Sequence, residues 1–129
     1  MNPRHAAALA LVCTLILPSL AKADSAEELL SGCKSIADSK VEGDHVRFPT
    51  AYTTGQCWGA FAVLQEEYRW AYASQQRTFG ACVPPDATRS ELIAVFVAYV
   101  QRHPERRHDD FVAVANDAAR AAYPCAPAK

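Results

Sequence analysis

Histidine is the first side chain in this sequence that could do chemistry, because imidazole nitrogens bind zinc. His103 and His108 are five positions apart, with Pro104 and two arginines between them. That separation does not place two histidines on one face of a helix, Pro104 would interrupt the helix, and the arginines would repel a cation. We therefore expect no metal ion here, and we interpret the stretch as a structural turn formed by His103, Pro104 and Glu105.

Cysteine is the second candidate, since a thiolate beside a histidine can act as a nucleophile. The chain has five cysteines, and Cys13 lies in an N-terminal apolar run that we expect to be removed. The remaining cysteines are even in number, which in an exported chain favours disulfides over a free thiol. No C-x-x-C motif is present in the sequence, which argues against a zinc-ribbon or thioredoxin-type site.

The other familiar patterns of catalytic residues are absent from the sequence. Glu66–Glu67 and Asp109–Asp110 are adjacent acids, and neighbours along a helix do not face each other as an acid–base pair must. There is no glycine-rich phosphate loop, no G-x-S-x-G motif and no H-E-x-x-H motif. The sequence therefore predicts neither a catalytic set nor a cofactor, and it indicates a protein that is not an enzyme.

The N-terminal segment has the order of a secretory signal peptide. A polar start precedes an apolar run at residues 6–17, and residues 21–23 (Ala-Lys-Ala) place small side chains where a signal peptidase reads. A helix of twelve residues spans about 18 Å, which is too short for the roughly 30 Å core of a membrane. We expect cleavage after Ala23, which leaves one exported, soluble domain at residues 24–129.

The composition is that of a folded domain. Of the 129 residues, 50% are hydrophobic and 21% are charged, which argues against disorder. The chain has 13 basic and 14 acidic residues, which excludes a strongly basic nucleic-acid-binding protein. Residues 24–129 carry 11 of the basic and all 14 of the acidic side chains, a charge of −3.

Hydrophobic periodicity predicts four roughly antiparallel helices and no strand of useful length, which is typical of the all-α class. Ser25 with Glu28 and Thr88 with Glu91 form capping boxes, which satisfy free N–H groups in the first turn of a helix. Pro104 ends the third helix. The expected helices span about 26–38, 51 or 54 to 76, 88–103 and 109–122, with a loop at 39–54.

Gly55 and Gly59 lie four residues apart, and therefore on one face of the second expected helix. Glycine destabilises a helix, so two glycines within one turn suggest a reason in packing. We interpret them as sites where another helix of the bundle approaches closely.

The pairing of the four cysteines follows from the expected topology. Four cysteines allow three pairings, and sequence alone does not choose among them. In an antiparallel pair, however, the start of the third helix lies beside the end of the fourth, which favours a Cys82–Cys125 bond. Cys33–Cys57 then ties the first helix to the second. Each bond stabilises the fold by roughly 3–4 kcal/mol in the chain-entropy model.

Aromatic residues in and after the second helix are the candidates for a binding surface. Trp58 and Trp70 lie off the apolar stripe, and they either pack under the long loop or belong to an interface, where tryptophan, tyrosine and arginine are enriched. The segment after this helix is polar, which suits a partner contact and equally a plain connector. We place the candidate partner-binding residues there: Gln75, Gln76, Arg77, Thr78 and Phe79.

A spaced set of short motifs runs through the chain after the signal segment. The set comprises Leu29-Leu30 with Cys33, Gly55-Gln56-Cys57-Trp58-Gly59, Cys82-Val83-Pro84, Thr88–Leu92, Tyr99–Glu105 and Ala122-Tyr123-Pro124-Cys125. With these motifs in this order, residues 26–125 resemble the Rap/Tai family of immunity proteins. That family protects bacteria from cell-wall amidase effectors of the type VI secretion system.

The resemblance implies a small periplasmic helical protein that binds a peptidoglycan amidase effector and obstructs its active-site groove, and it allows a homodimer. It also implies structural roles for the shared motif residues, with specificity in the parts that the motifs do not fix. A periplasmic chaperone activated by acid is the alternative function, because three histidines and 14 acidic residues could open the domain at low pH. Two disulfides would restrain that opening.

Overall fold

Four α-helices form most of the structure, a computed structural model that describes residues 24–42, 45–76 and 78–126. The helices are α1 (Ala26–Ala37), α2 (Tyr52–Ala73), α3 (Arg89–Arg102) and α4 (Phe111–Ala122). The expected all-α class is confirmed. The signal peptide expected at residues 1–23 lies outside the described residues.

Short elements connect the helices. Two strands of two residues each, β1 (Val41–Glu42) and β2 (His45–Val46), pair antiparallel within the stretch expected to be a loop. Single 3-10 turns lie at Thr78–Gly80 and Pro104–Arg106. In the part of the chain that the structure describes, no helix is both long and apolar enough to cross a membrane.

Both predicted capping boxes are present. The Ser25 hydroxyl accepts from the Glu28 N–H, and the Glu28 carboxylate accepts from the Ser25 N–H at 2.6 Å. At α3, the Thr88 hydroxyl accepts from the Glu91 N–H at 3.2 Å, and the Glu91 carboxylate accepts from the Thr88 N–H at 2.7 Å. Because these bonds join residues three apart, the sequence determines both helix starts locally.

The capping carboxylate of α3 makes stability depend on pH. The backbone N–H and hydroxyl of Thr88 donate to Glu91 and hold its pKa below the usual 4.5. A lowered folded-state pKa stabilises the protein above the unfolded pKa, and this stabilisation is lost as the pH falls through the folded-state pKa. We expect Glu91→Ala to cost about 0.5–1 kcal/mol at neutral pH and clearly less below the folded-state pKa.

Urea unfolding of the wild type and of Glu91→Ala at neutral and acidic pH measures how the cost of the substitution changes with pH. Glu67→Ala, which removes an exposed carboxylate from the middle of α2 and no helix cap, is the control and should cost less than Glu91→Ala at neutral pH. An equal cost of Glu91→Ala at both pH values would contradict the assignment.

The core lies where α2, α3 and α4 pack together over α1. Each of these three helices contributes one phenylalanine, Phe61, Phe96 and Phe111, and the ring centroids are 5.3 to 5.6 Å apart. All three side chains are buried, and their tilted and edge-on contacts add to the stabilisation from buried area. Beside this cluster, the Tyr68 hydroxyl donates to Asn116 Oδ1 at 2.7 Å, which satisfies a buried polar pair between α2 and α4.

The turn between α3 and α4 also caps the start of α1. The backbone N–H groups of Ala26 and Glu27 donate to the carbonyl oxygens of Asp109 and Arg107 at 3.0 and 2.8 Å. These bonds pair two of the N–H groups that a helix start leaves without an intrahelical partner. The turn therefore positions the N-terminus of α1 as well as joining its own two helices.

Close approach between helix backbones occurs at Gly32, and our interpretation of Gly55 and Gly59 is wrong. A Cβ added at Gly32 would lie 2.0 Å from the carbonyl oxygen of Thr53, whereas nothing lies within 4 Å of one at Gly55 or Gly59. The buried stripe of α2 turns the latter pair toward solvent. The helix that needs a glycine is therefore α1, where it crosses the first turn of α2.

Both disulfides have the expected pairing. Cys33–Cys57 joins α1 to α2 and is fully buried, whereas Cys82–Cys125 joins the segment before α3 to the end of α4 and is partly exposed. The Cys82 N–H donates to the Tyr123 carbonyl oxygen at 2.9 Å in the same place. The start of α3 thus lies beside the end of α4, as the antiparallel arrangement requires.

Candidate partner-binding surface

The candidate binding residues lie in the segment that follows α2, residues 75–80, which we call the exposed segment because Gln75, Gln76, Phe79 and Gly80 are exposed. α2 ends three residues earlier than expected, at Ala73. The N–H of Gln76 donates to the Ala71 carbonyl at 2.9 Å, and the N–H of Gln75 donates to that of Tyr72 at 3.2 Å. This is the Schellman pattern, with Gln75 at the left-handed position (φ 55°) that glycine usually occupies.

Phe79 adopts a second left-handed conformation, with a φ of 60°. For a bulky side chain this conformation is unusual and costs about 1–3 kcal/mol, so the surrounding structure must hold it. Its carbonyl oxygen accepts from Arg120 Nη1 of α4 at 3.3 Å, and the ring remains 41% exposed. The fold thus holds Phe79 in a conformation that costs free energy, and in this conformation the aromatic ring lies at the surface.

A hydrogen bond from Arg120, a backbone bridge and a disulfide link the far end of the exposed segment to α4 and to the residues that follow it. Arg120 forms an ion pair with Asp117, which also pairs with Arg106 at 2.7 Å. Immediately after the segment, Ala81 pairs with Pro124 as an isolated bridge, and the Cys82–Cys125 disulfide follows. The segment is therefore held at both ends, which lowers the conformational entropy that binding would cost.

A groove of about 320 Å³ lies beside this segment, between the last turns of α2 and residues 81–83. Burial raises the pKa of Tyr68, which lies in the groove, to about 12, so its hydroxyl stays neutral and continues to donate to Asn116. The groove offers an apolar recess bordered by the exposed ring of Tyr72, an arrangement suited to binding a side chain of a partner.

The sequence-predicted residues are only partly brought together. Gln75, Gln76 and Phe79 are exposed on the segment, whereas Arg77 and the side chain of Thr78 lie outside what the structure describes. His103 and Glu105 are far along the chain in the turn before α4, where His103 Nδ1 lies 3.2 Å from Glu105 Oε1. These two are not part of the exposed segment.

The structure offers no group for metal binding or thiol chemistry within residues 24–42, 45–76 and 78–126. No cluster of three or more histidine, cysteine, aspartate or glutamate side chains there could hold a metal ion. The four cysteines of this part of the chain are all bonded in disulfides.

Sequence reasoning named Trp70 as an interface candidate but missed Tyr52 and Val63, which with Trp70 define the outward face of α2. These side chains are 80%, 63% and 59% exposed. Trp58 instead packs under the loop, with its ring 5.1 Å from that of Phe48, whereas Trp70 is exposed to solvent. The spacing of 11 and 7 residues is close to whole helical turns, and this signal could have identified the face.

A family model for Rap1a immunity proteins matches residues 25–125. The chain belongs to this family. The match spans all four helices and both disulfides of this Rap1a family member, and it confirms the resemblance inferred from the motifs. Neither the curated proteins nor the solved structures contain a significant match. Membership implies an immunity protein that binds a secreted effector.

Proposed function

We propose that this Rap1a family member acts in the periplasm, where residues 24–129 bind and block a peptidoglycan amidase delivered by a type VI secretion system. The observation that carries the proposal is the exposed segment, in which an aromatic ring is held in a left-handed conformation between two fixed ends. The amidase itself and the compartment come from the family resemblance and from the leader pattern at residues 1–23.

The geometry of the exposed segment suits obstruction of the active-site groove of an amidase. An enzyme that cleaves peptidoglycan must admit an extended peptide, so its active site is open to an inserted segment. A segment fixed at both ends by a helix cap and a disulfide loses little freedom on insertion. Phe79 supplies the kind of aromatic anchor that contributes most of the binding energy in protein interfaces.

Two disulfides support the proposed location. Disulfides form and persist in oxidising compartments such as the periplasm, and they are rare in cytosolic proteins. The proposed amidase cleaves peptidoglycan in the periplasm. A disulfide-bonded inhibitor in the same compartment would meet the amidase there.

The test measures binding and inhibition with purified, oxidised protein, residues 24–129, and candidate type VI amidases. We expect a stoichiometric complex that abolishes peptidoglycan cleavage. Phe79→Ala should weaken the complex by at least about thirtyfold, the loss typical of an aromatic anchor. Arg102→Ala, at the far end of α3, is the control and should retain the affinity of the wild type.

Melting temperatures of both variants exclude a simple loss of fold. Full affinity of Phe79→Ala would show that the exposed segment is not the contact. Failure of the wild type to bind any amidase, together with suppression of client aggregation only at acidic pH, would replace this function by the chaperone alternative.

A further inference from the structure

An apolar groove runs along the outward face of α2, on the side where α1 and α4 begin. Leu29, Ala60, Leu64 and Phe111 form its floor, and Val63 and Val112 form its walls. The groove has a volume of about 380 Å³. Both valines are unusually exposed for their type, at 63% and 45%, so the molecule itself leaves this apolar surface uncovered.

A second hollow continues the groove toward the C-terminal end of α2. Val63 borders both, and Trp70 closes the second one, which has a volume of about 600 Å³. From Gln56 to Trp70 the helix rises by roughly 21 Å at 1.5 Å per residue. The two hollows therefore form one elongated apolar surface, which we call the α2 groove.

Carboxylates line both hollows of the α2 groove. Asp24 and Asp110 line the hollow beside the starts of α1 and α4, and Glu66 and Glu67 line the hollow along α2. The described residues that line the two hollows include no lysine, arginine or histidine. Glu66 is paired with Arg69 at 2.9 Å, which cancels its charge, so the net negative charge of the rim comes from Asp24, Asp110 and Glu67.

We infer that the α2 groove is a second docking site for the same effector, and that it accepts a basic segment carrying apolar side chains. This inference rests on the proposed function. Apolar side chains of the segment would cover Val63 and Val112, and its lysine or arginine side chains would pair with the carboxylate rim. An apolar centre with a charged rim is the usual anatomy of a protein interface, and a rim of one sign selects a partner of the opposite sign.

Charge excludes a second copy of this chain as the occupant. A two-fold dimer through the α2 groove would place the same surface against itself. Each carboxylate of the rim would then face the rim of the partner copy, and juxtaposed like charges destabilise an interface by several kcal/mol. A basic partner removes this repulsion and also associates faster through electrostatic steering.

The α2 groove lies within reach of the exposed segment along the same helix. Trp70 lies three residues, or roughly 5 Å of helix rise, before the end of α2 at Ala73, and Gln75 follows two residues later. A standard interface covers about 800 Å² on each partner, so one effector has the dimensions to contact both surfaces. The exposed segment would obstruct the active site, and the α2 groove would supply affinity and association rate.

The first part of the test uses a synthetic amphipathic peptide of lysine and leucine as the probe, titrated against residues 24–129 with tryptophan fluorescence as the readout. We expect binding at low salt that weakens strongly with added salt. Glu67→Lys should reduce the affinity at least about tenfold, and Val63→Ser should reduce it severalfold. Asp38→Lys, a charge reversal at the other end of α1, should leave it unchanged. An effect of Asp38→Lys equal to that of Glu67→Lys would show non-specific attraction and overturn the inference.

The second part repeats these variants with the amidase that the wild type inhibits. Glu67→Lys is expected to slow association and to lose at least about tenfold in affinity at low salt, with a smaller loss at high salt. If no amidase binds the wild type, the proposed function fails, and the peptide titration still decides whether the groove takes a basic segment. If an amidase binds and Glu67→Lys and Val63→Ser keep full affinity, the inference fails alone. A wild-type dimer that Val63→Ser dissociates would also overturn it.

Discussion

Gly32→Ala is expected to destabilise the protein by about 3 kcal/mol or more, although alanine is the better helix former. The added Cβ would lie 2.0 Å from the Thr53 carbonyl oxygen and 2.9 Å from the Thr54 nitrogen. Both atoms belong to the backbone of α2 and cannot rotate away as a side chain can. The helices would have to separate at the point where the adjacent Cys33–Cys57 bond holds them together.

The same substitution in α2 provides the matched control. Nothing lies within 4 Å of a Cβ at Gly59, so Gly59→Ala should stabilise the protein by about 0.5–1 kcal/mol through helix propensity alone. Urea unfolding of the two variants and the wild type compares effects of opposite sign. If both substitutions stabilised the protein, the close approach of α1 to α2 would be wrong.

Removal of the buried disulfide, in the double variant Cys33→Ala/Cys57→Ala, is expected to have the other large effect. The chain-entropy model gives about 3–4 kcal/mol for each disulfide, slightly more for Cys82–Cys125 because its 43-residue separation exceeds the 24 of Cys33–Cys57. Burial of the Cys33–Cys57 bond reverses this order, so we expect its removal to destabilise the protein more than removal of Cys82–Cys125. Cys33 and Cys57 are both 0% exposed, so the alanine substitutions leave a cavity in the core in addition to removing the cross-link.

Differential scanning calorimetry gives the melting temperatures of the wild type and of two double variants, Cys33→Ala/Cys57→Ala and Cys82→Ala/Cys125→Ala. For a domain of this size, 3–4 kcal/mol corresponds to a decrease in melting temperature of roughly 15–25 °C. Cys82→Ala/Cys125→Ala should decrease it less but should weaken amidase binding more, since this bond holds the exposed segment. A larger thermal effect of the Cys82–Cys125 pair would contradict the argument from burial.

The sequence determined those features that depend on residues close together in the chain. Ser25 with Glu28 and Thr88 with Glu91 start their helices through bonds that span three residues, so their positions were predictable. Helical periodicity gave the all-α class. The cysteine pairing also followed, because the order of four antiparallel helices brings the flanks of α3 and α4 together.

Only the tertiary structure decided which distant parts of the chain come into contact. Gly55 and Gly59 have the spacing of a packing motif, yet Gly32 is the glycine that meets another backbone. Trp58 and Trp70 are alike in sequence, but the loop at Phe48 covers the first alone. The left-handed φ of Phe79 depends on Arg120, 41 positions later in the chain. These outcomes depend on where distant backbones lie, and a local pattern carries no information on that position.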